Sequence, residues 1–348
     1  MSFEPCASVH GLPKSNQSQE DGISQANTLS PAVFDRRAIP QDARESIWVA
    51  NDGHEIRCID WSEPPAGVPV RGSILFMAGR GDAYEKYLET FEHWRMQGWR
   101  VSAADWRGQG GSGRLGIDDA TGHIDDFARW ITDLAGLWHD WAKDRDGPLV
   151  LAGHSMGGHL TLRAVIEKAL TPAPAALILS APMLDVFPEL VPLPVKRWLS
   201  SAMATIGDAR RPAWKISEKP GSTIASRQSL LTHDADRYED EQWWRNARPE
   251  LRLGPGSWAW VKAAAFSSTE LFRPGALESV SVPVFFVATD ADRLVSPSAI
   301  RTAIARLPDA DALIFGNEAR HEILREEDGV RDKALAAIDD FLTRRVAN

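Results

Sequence analysis

The sequence predicts an α/β protein: a mostly parallel sheet flanked by helices, carrying an inserted helical cap. Three observations lead there. Short apolar runs alternate with amphipathic stretches from about residue 72 to residue 180. The alternation stops between Asp185 and Gly275 and resumes at Val282. At one strand-to-helix junction stands a G-x-S-x-G pentapeptide, Gly153-His154-Ser155-Met156-Gly157. Alternating strands and helices bury both faces of a parallel sheet, whereas a long stretch without strand pattern is an insertion upon it.

The elements follow in order. Arg44 to Ala50 and His54 to Trp61 are strands joined by Asn51-Asp52-Gly53, a hairpin turn. Gly72 to Ala78 is a buried strand, Tyr84 to Gln97 a helix stopped by Gly98, and Trp99 to Ala104 the next strand. From Asp126 to Lys143, Phe127, Trp130, Ile131, Leu134, Leu137, Trp138 and Trp141 recur at helical spacing. Pro148 to Ala152 is a strand leading into the pentapeptide, and Leu160 to Ile166 belongs to the helix after it. Ala176 to Ser180 is again a strand.

Residues 185–275 form the expected cap. Val195, Trp198, Leu199, Ala202, Met203 and Ile206 repeat with helical period, with Pro194 at the helix start. Six of the 14 tryptophans lie in this insertion, and Trp198, Trp243 and Trp244 are the candidates for substrate contact. Val282 to Ala288, a helix from Pro297 to Arg306, Ala312 to Phe315 and a helix from Asp328 to Arg344 complete the core. The core therefore comprises residues 44–184 and 276–348, and residues 1–43 are an extension whose Ser, Gln and Asn content between Gly11 and Ser30 reads as flexible or ordered by docking.

Composition excludes several classes. A net charge of −9 without a basic tract argues against nucleic acid. Two cysteines, Cys6 and Cys58, form neither a disulfide framework nor a zinc set and fit a reducing, cytoplasmic setting. No secretory n-region or h-region opens the chain, and no run of about 18 apolar residues suggests a membrane span.

The pentapeptide supplies the chemistry. A strand, a sharp turn and a helix would lift Ser155 to the top of the sheet as a nucleophile elbow. A serine hydroxyl attacks only when a base takes its proton and a third group orients that base. Two later loops, each after a strand, provide the partners in the order acid, then histidine. His321 in Gly316–Glu322 is the candidate base. Asp292 is the preferred acid, with Asp290 as the alternative or as the residue that shapes the turn. The oxyanion would be held by the backbone N–H of Met156, at the helix start, and of Arg80, in Ala78-Gly79-Arg80-Gly81.

Gly108-Gln109-Gly110-Gly111-Ser112-Gly113 matches G-x-G-x-x-G but fails as a dinucleotide fingerprint. No helix follows Gly113 directly, and no acidic residue ends a second strand about 20 positions later. There is no H-E-x-x-H, so neither a metal nor another cofactor is expected.

These motifs resemble the α/β-hydrolases of the monoacylglycerol lipase and bacterial lysophospholipase branch. The likeness rests on Ala78-Gly79-Arg80 with Tyr84, on Asp105 to Ser112, on Gly153 to Gly158, on Ala291-Asp292-Arg293-Leu294-Val295 and on Arg320 to Leu324. Ser180-Ala181-Pro182-Met183 and Leu231-Thr232-His233 are similar to the bacterial lysophospholipases. The resemblance implies a triad of Ser155, Asp292 and His321 and favours Asp292 over Asp290. Many members of the wider family carry His-Gly where this chain has Ala78-Gly79, but a backbone donor does not need that histidine.

The activity implied is hydrolysis of the acyl ester of a single-acyl lipid, a lysophospholipid or monoacylglycerol. A general carboxylesterase or amide hydrolase is the alternative, and a non-catalytic binding protein is the reading from another class. With 13 Lys and Arg against 11 Asp and Glu, the cap is slightly basic on an acidic protein, which is compatible with peripheral membrane contact. The oligomeric state has no signature in the sequence.

Overall fold

The computed structural model describes residues 34–185, 191–214 and 224–346. The stretch from Gly11 to Ser30, expected to be flexible, lies outside the described residues. Strands β1 (Arg44–Val49) and β2 (Glu55–Trp61) form the expected antiparallel hairpin, with Val49 opposite Glu55. They are followed by β3 (Gly72–Met77), β4 (Trp99–Ala104), β5 (Leu149–His154), β6 (Ala176–Ser180), β7 (Val284–Thr289) and β8 (Ala310–Phe315). The sheet order is β1-β2-β4-β3-β5-β6-β7-β8. β2 and β4 are antiparallel, and every pair from β4 to β8 is parallel.

β3, β5, β6 and β7 are buried along their whole length, so they read as continuous apolar runs rather than alternations. Parallel register brings their C-terminal ends to one edge: Met77 pairs with Gly153, His154 with Ser180, Ser180 with Val287 and Thr289 with Phe315. Every loop predicted to carry chemistry leaves from that edge, where open α/β sheets place their crevices.

The helices are α1 (Leu88–Met96), α2 (Phe127–Ala142), α3 (Met156–Ile166), α4 (Leu193–Ala204), α5 (Ile224–Leu231), α6 (Ala235–Ala247), α7 (Trp258–Leu271), α8 (Pro297–Arg306) and α9 (Asp328–Arg345). α2 starts where the Asp126 carboxylate accepts from the Ala128 N–H at 2.9 Å, and it buries Trp130, Ile131, Leu134, Leu137 and Trp138 in the core. α1 is shorter than expected, because Tyr84–Tyr87 winds as a 3-10 turn before it.

The insertion is helical, with α4 to α7 as its described elements. The periodic apolar positions of α4 face outward: Trp198 is 70 % exposed, and Val195, Leu199 and, just past the helix, Ile206 are exposed as well. α4 packs on α7 through the opposite side, which carries the buried Ser200, with the Arg197 guanidinium 4.2 Å above the Phe266 ring. The period was readable, but the direction of the stripe was not.

The compact unit begins at Asp35, earlier than the boundary expected at Arg44. Arg36 and Arg37 reach Asp240 on α6 at 2.5 and 2.6 Å, and the Trp244 indole N–H donates to the Arg36 carbonyl at 2.9 Å.

Candidate active site

Ser155 sits between β5 and α3 with φ 51° and ψ −117°, a left-handed backbone that a non-glycine residue adopts only when its surroundings impose it. They do so here. The Ser155 N–H donates to the Ser180 carbonyl at 2.9 Å, and the Ser155 carbonyl accepts from Met183 and His159 at 2.9 and 3.0 Å. The glycines of the pentapeptide leave room for this turn: positive φ falls on the serine, and a Cβ on Gly157 would stand 2.1 Å from the Met77 carbonyl oxygen. Only glycine lets α3 start this close to β3. Met156 is its first residue, so its N–H is among the donors that a helix N-terminus leaves unsatisfied.

The loop after β3 passes directly beside the serine. A Cβ on Gly79 would lie 3.2 Å from the Ser155 Cβ and 2.7 Å from Asp82 Oδ2. Gln109 holds this loop, accepting from the Gly81 N–H at 2.7 Å, and the Trp106 indole donates to the Ala78 carbonyl at 2.8 Å. The glycine-rich segment that imitates a dinucleotide fingerprint is thus a prop for the loop bearing Arg80. The Arg80 side chain turns to the cap, its guanidinium 5.3 and 5.1 Å from the Trp214 and Trp260 rings and donating to the Gly254 carbonyl at 2.5 Å.

Of the two candidate acids, the fold brings Asp292 to the histidine. His321 Nδ1 lies 2.7 Å from Asp292 Oδ2, while Asp292 Oδ1 accepts from the Leu294 and Val295 N–H groups at 2.8 and 3.1 Å. Burial alone would push the Asp292 carboxyl up, but His321 and those two N–H groups outweigh it and hold the group below the usual carboxylate range. Burial likewise disfavours the His321 imidazolium, yet Asp292, Glu322 and Asp82 raise the ring above its ordinary value. Asp290 points elsewhere, in an exposed ion pair with Arg301 on α8 at 2.5 Å.

His321 is also tied to the cap. Its N–H donates to the Leu230 carbonyl at 3.4 Å, the Glu322 N–H to Leu231 at 2.8 Å, and the Thr232 hydroxyl to Arg325 at 2.8 Å. This is the structural role of the Leu231-Thr232-His233 stretch. His154, the second residue of the pentapeptide, is buried with its ring 4.8 Å from that of His321. Burial and the neighbouring His321 bring His154 down to about 4, so it is neutral at physiological pH.

Ser155 and His321 open on a cavity of about 550 Å³, walled by Trp214, Trp258, Trp260, Val261 and Leu231 of the cap and by Leu294 and Val295 of the core. Trp198, Trp243 and Trp244, the candidates from sequence, are not among its lining residues. Trp244 is buried against Trp243 in a T-shaped pair, and Trp198 faces outward on α4. All six cap tryptophans carry the same composition signal, so only tertiary packing could separate the two sets.

The chain matches the family model described as "Serine aminopeptidase, S33" over residues 68–328. It belongs to this family. The protein is a hydrolase on the α/β-hydrolase fold, as the motifs led us to expect. Lysophospholipase L2 of Escherichia coli is 28 % identical over 283 residues, covering 78 % of this chain and 80 % of that protein. Among solved structures, a soluble variant of monoglyceride lipase from Saccharomyces cerevisiae superposes with TM-score 0.70 at 17 % identity, over 92 % of this chain and all (100 %) of that one. The monoacylglycerol lipase of Paleococcus ferrophilus gives 0.62 at 19 % identity, over 84 % and 99 %. At these identities the two structures speak for the fold alone.

Proposed function

We propose that the protein is a serine hydrolase that cleaves the acyl ester of a single-acyl lipid, a lysophospholipid or a monoacylglycerol, through an acyl-enzyme on Ser155. The observation that carries this reading is the Asp292–His321 pair sharing an indole-lined cavity with a strained, largely buried serine. In this mechanism His321 takes the Ser155 proton as the oxygen attacks the acyl carbonyl. Asp292 holds the imidazole by Nδ1 and stabilises the imidazolium that forms. The N–H groups of Met156 and Arg80 receive the oxyanion, His321 returns its proton to the leaving alcohol, and water then releases the fatty acid by the same steps. The apolar walls supplied by the cap suit an acyl chain, and the relationship to lysophospholipase L2 supports a lipid substrate.

Peripheral contact with lipid belongs to the same reading. Val195, Trp198 and Leu199 are exposed on α4 and Ile206 just past its end, in a cap slightly basic on an otherwise acidic protein. A helix of this kind lies in the bilayer interface rather than spanning it. Among the described residues no helix is long and apolar enough to cross a membrane.

The decisive measurement is a substrate panel of lysophospholipids, monoacylglycerols, short p-nitrophenyl esters and amino-acid p-nitroanilides, run on the native chain and on Ser155→Ala. We expect single-acyl lipids to be preferred and the variant to lose roughly 10⁴-fold or more in rate. A preference for acetyl over dodecanoyl esters would replace the lipid reading by a general esterase, and a preference for the anilides by an amide hydrolase. Near-native turnover by Ser155→Ala would remove Ser155 as the nucleophile.

A further inference from the structure

Below His321 lies a set of buried charges that the mechanism above does not use. Lys86 Nζ, with a side chain 4 % exposed, is 2.5 Å from Asp82 Oδ1, 2.7 Å from Glu322 Oε1 and 3.0 Å from Glu241 Oε2. All three carboxylates are buried. Arg325 pairs with Glu322 and, at 3.5 Å, with Glu241, which Arg245 also meets at 2.8 Å. An ammonium has three protons to donate, and here three carboxylates surround it. Burying such ions costs much of what their attraction returns, so the cluster is poorly explained as a source of stability.

Its members come from three places that catalysis must hold together. Asp82 follows the Gly79-Arg80 turn, Glu322 follows His321, and Glu241 belongs to cap helix α6. We propose that Lys86 is a positioning residue: its ammonium locks the turn bearing the Arg80 N–H and the loop bearing His321 against each other and against the cap. This rests on the assignment of His321 as the base.

The charges and titratable groups around that imidazole are Asp292 from the loop after β7, Asp82 from the loop after β3, His154 at the end of β5 and Glu322 on its own loop. Arg227 of α5 and Arg293 share its cavity. Removing the ammonium takes a cation from beside Asp82 and Glu322, the acids that already raise the imidazole, which favours the imidazolium. A base that holds its proton to higher pH is lost to catalysis sooner on acidification.

The test is the pH dependence of kcat/KM and of fluorophosphonate labelling in Lys86→Met, Lys86→Arg and the double variant Lys86→Met/Glu241→Gln. In Lys86→Met we expect the acid limb to move up by about one unit and labelling at neutral pH to slow about tenfold. Lys86→Arg should restore both. The double variant removes one charge of each sign, so its limb should return toward the native position while labelling stays slow, because the tie between the loops is gone. A native limb and a native labelling rate in Lys86→Met overturn the proposal. Should that variant fail to fold, native labelling in the double variant overturns it equally. Labelling of Ser155→Ala is the separate control: its persistence would count against the nucleophile and base themselves, not against Lys86.

Discussion

The floor of the site and its roof are built on different principles. The floor is backbone. Ser155 is pinned by main-chain bonds to Ser180, His159 and Met183, and Asp292 is aimed by the N–H groups of Leu294 and Val295. Around them β3, β5, β6 and β7 are wholly buried. The roof is side chain: indoles from α7 and from the loop after α4, the Arg80 guanidinium close to two of them, and α4 with its apolar stripe turned outward. A main-chain framework in a packed interior cannot give way by fractions of an ångström, which suits atoms that must meet within hydrogen-bond distance. Side-chain walls can be exchanged at modest cost, which suits the selection of substrates.

Perturbing the floor should therefore abolish function, and perturbing the roof should only redirect it. The largest effect is expected from Asp292→Asn, which keeps the shape but inverts the hydrogen-bond demand on His321; we expect kcat to drop about 10⁴-fold. The same exchange at Asp290, which merely pairs with exposed Arg301, should stay within about threefold. Equal losses at both positions would erase the distinction between the two acids.

Next comes Gly157→Ala. Its methyl would meet the Met77 carbonyl at 2.1 Å in a region with no room to shift, and we expect a loss of about 3 kcal/mol or more in thermal or chemical denaturation. A melting temperature unchanged from the native chain would contradict so tight an approach of α3 to β3.

The pH profile follows in size. His321 is raised above its ordinary value, and only its neutral form can accept the serine proton, so kcat/KM should fall on the acid side with a midpoint above 6.5. A midpoint near 4 would instead match His154.

The roof gives the smaller, selective effects. Val261→Trp narrows the cavity and should cost about tenfold on dodecanoyl esters while leaving acetyl esters nearly untouched. Trp198→Ser, out on α4, should weaken co-sedimentation with phospholipid vesicles without changing turnover of a soluble ester. Unaltered sedimentation would detach α4 from lipid contact.

Legibility follows the same division. Each strand of the core and the helices from Pro297 and Asp328 stand within a few residues of where hydrophobic period and turn residues put them. These are local patterns, because a strand buried on both faces must be apolar throughout and a helix must repeat its apolar positions every three to four residues. The order of serine, acid and histidine, each in a loop after a strand, was readable for the same reason.

What the sequence determined by itself is therefore the list of core elements, the place of a helical insertion among them, and the presence of an elbow serine with two loops able to complete it. The sequence also preferred Asp292 to Asp290 as the acid, and the tertiary structure supplied the geometry, turning Asp292 to His321 and Asp290 to Arg301. It alone chose Trp214, Trp258 and Trp260 for the cavity wall, and turned the α4 stripe outward although its period is that of a packed helix. It also assembled the Lys86 cluster, whose ammonium and Glu322 lie 236 residues apart in the chain. The physical reason is common to all four: period and propensity act between neighbours along the chain, whereas the pairing of side chains depends on which surfaces the folded sheet brings to the same edge.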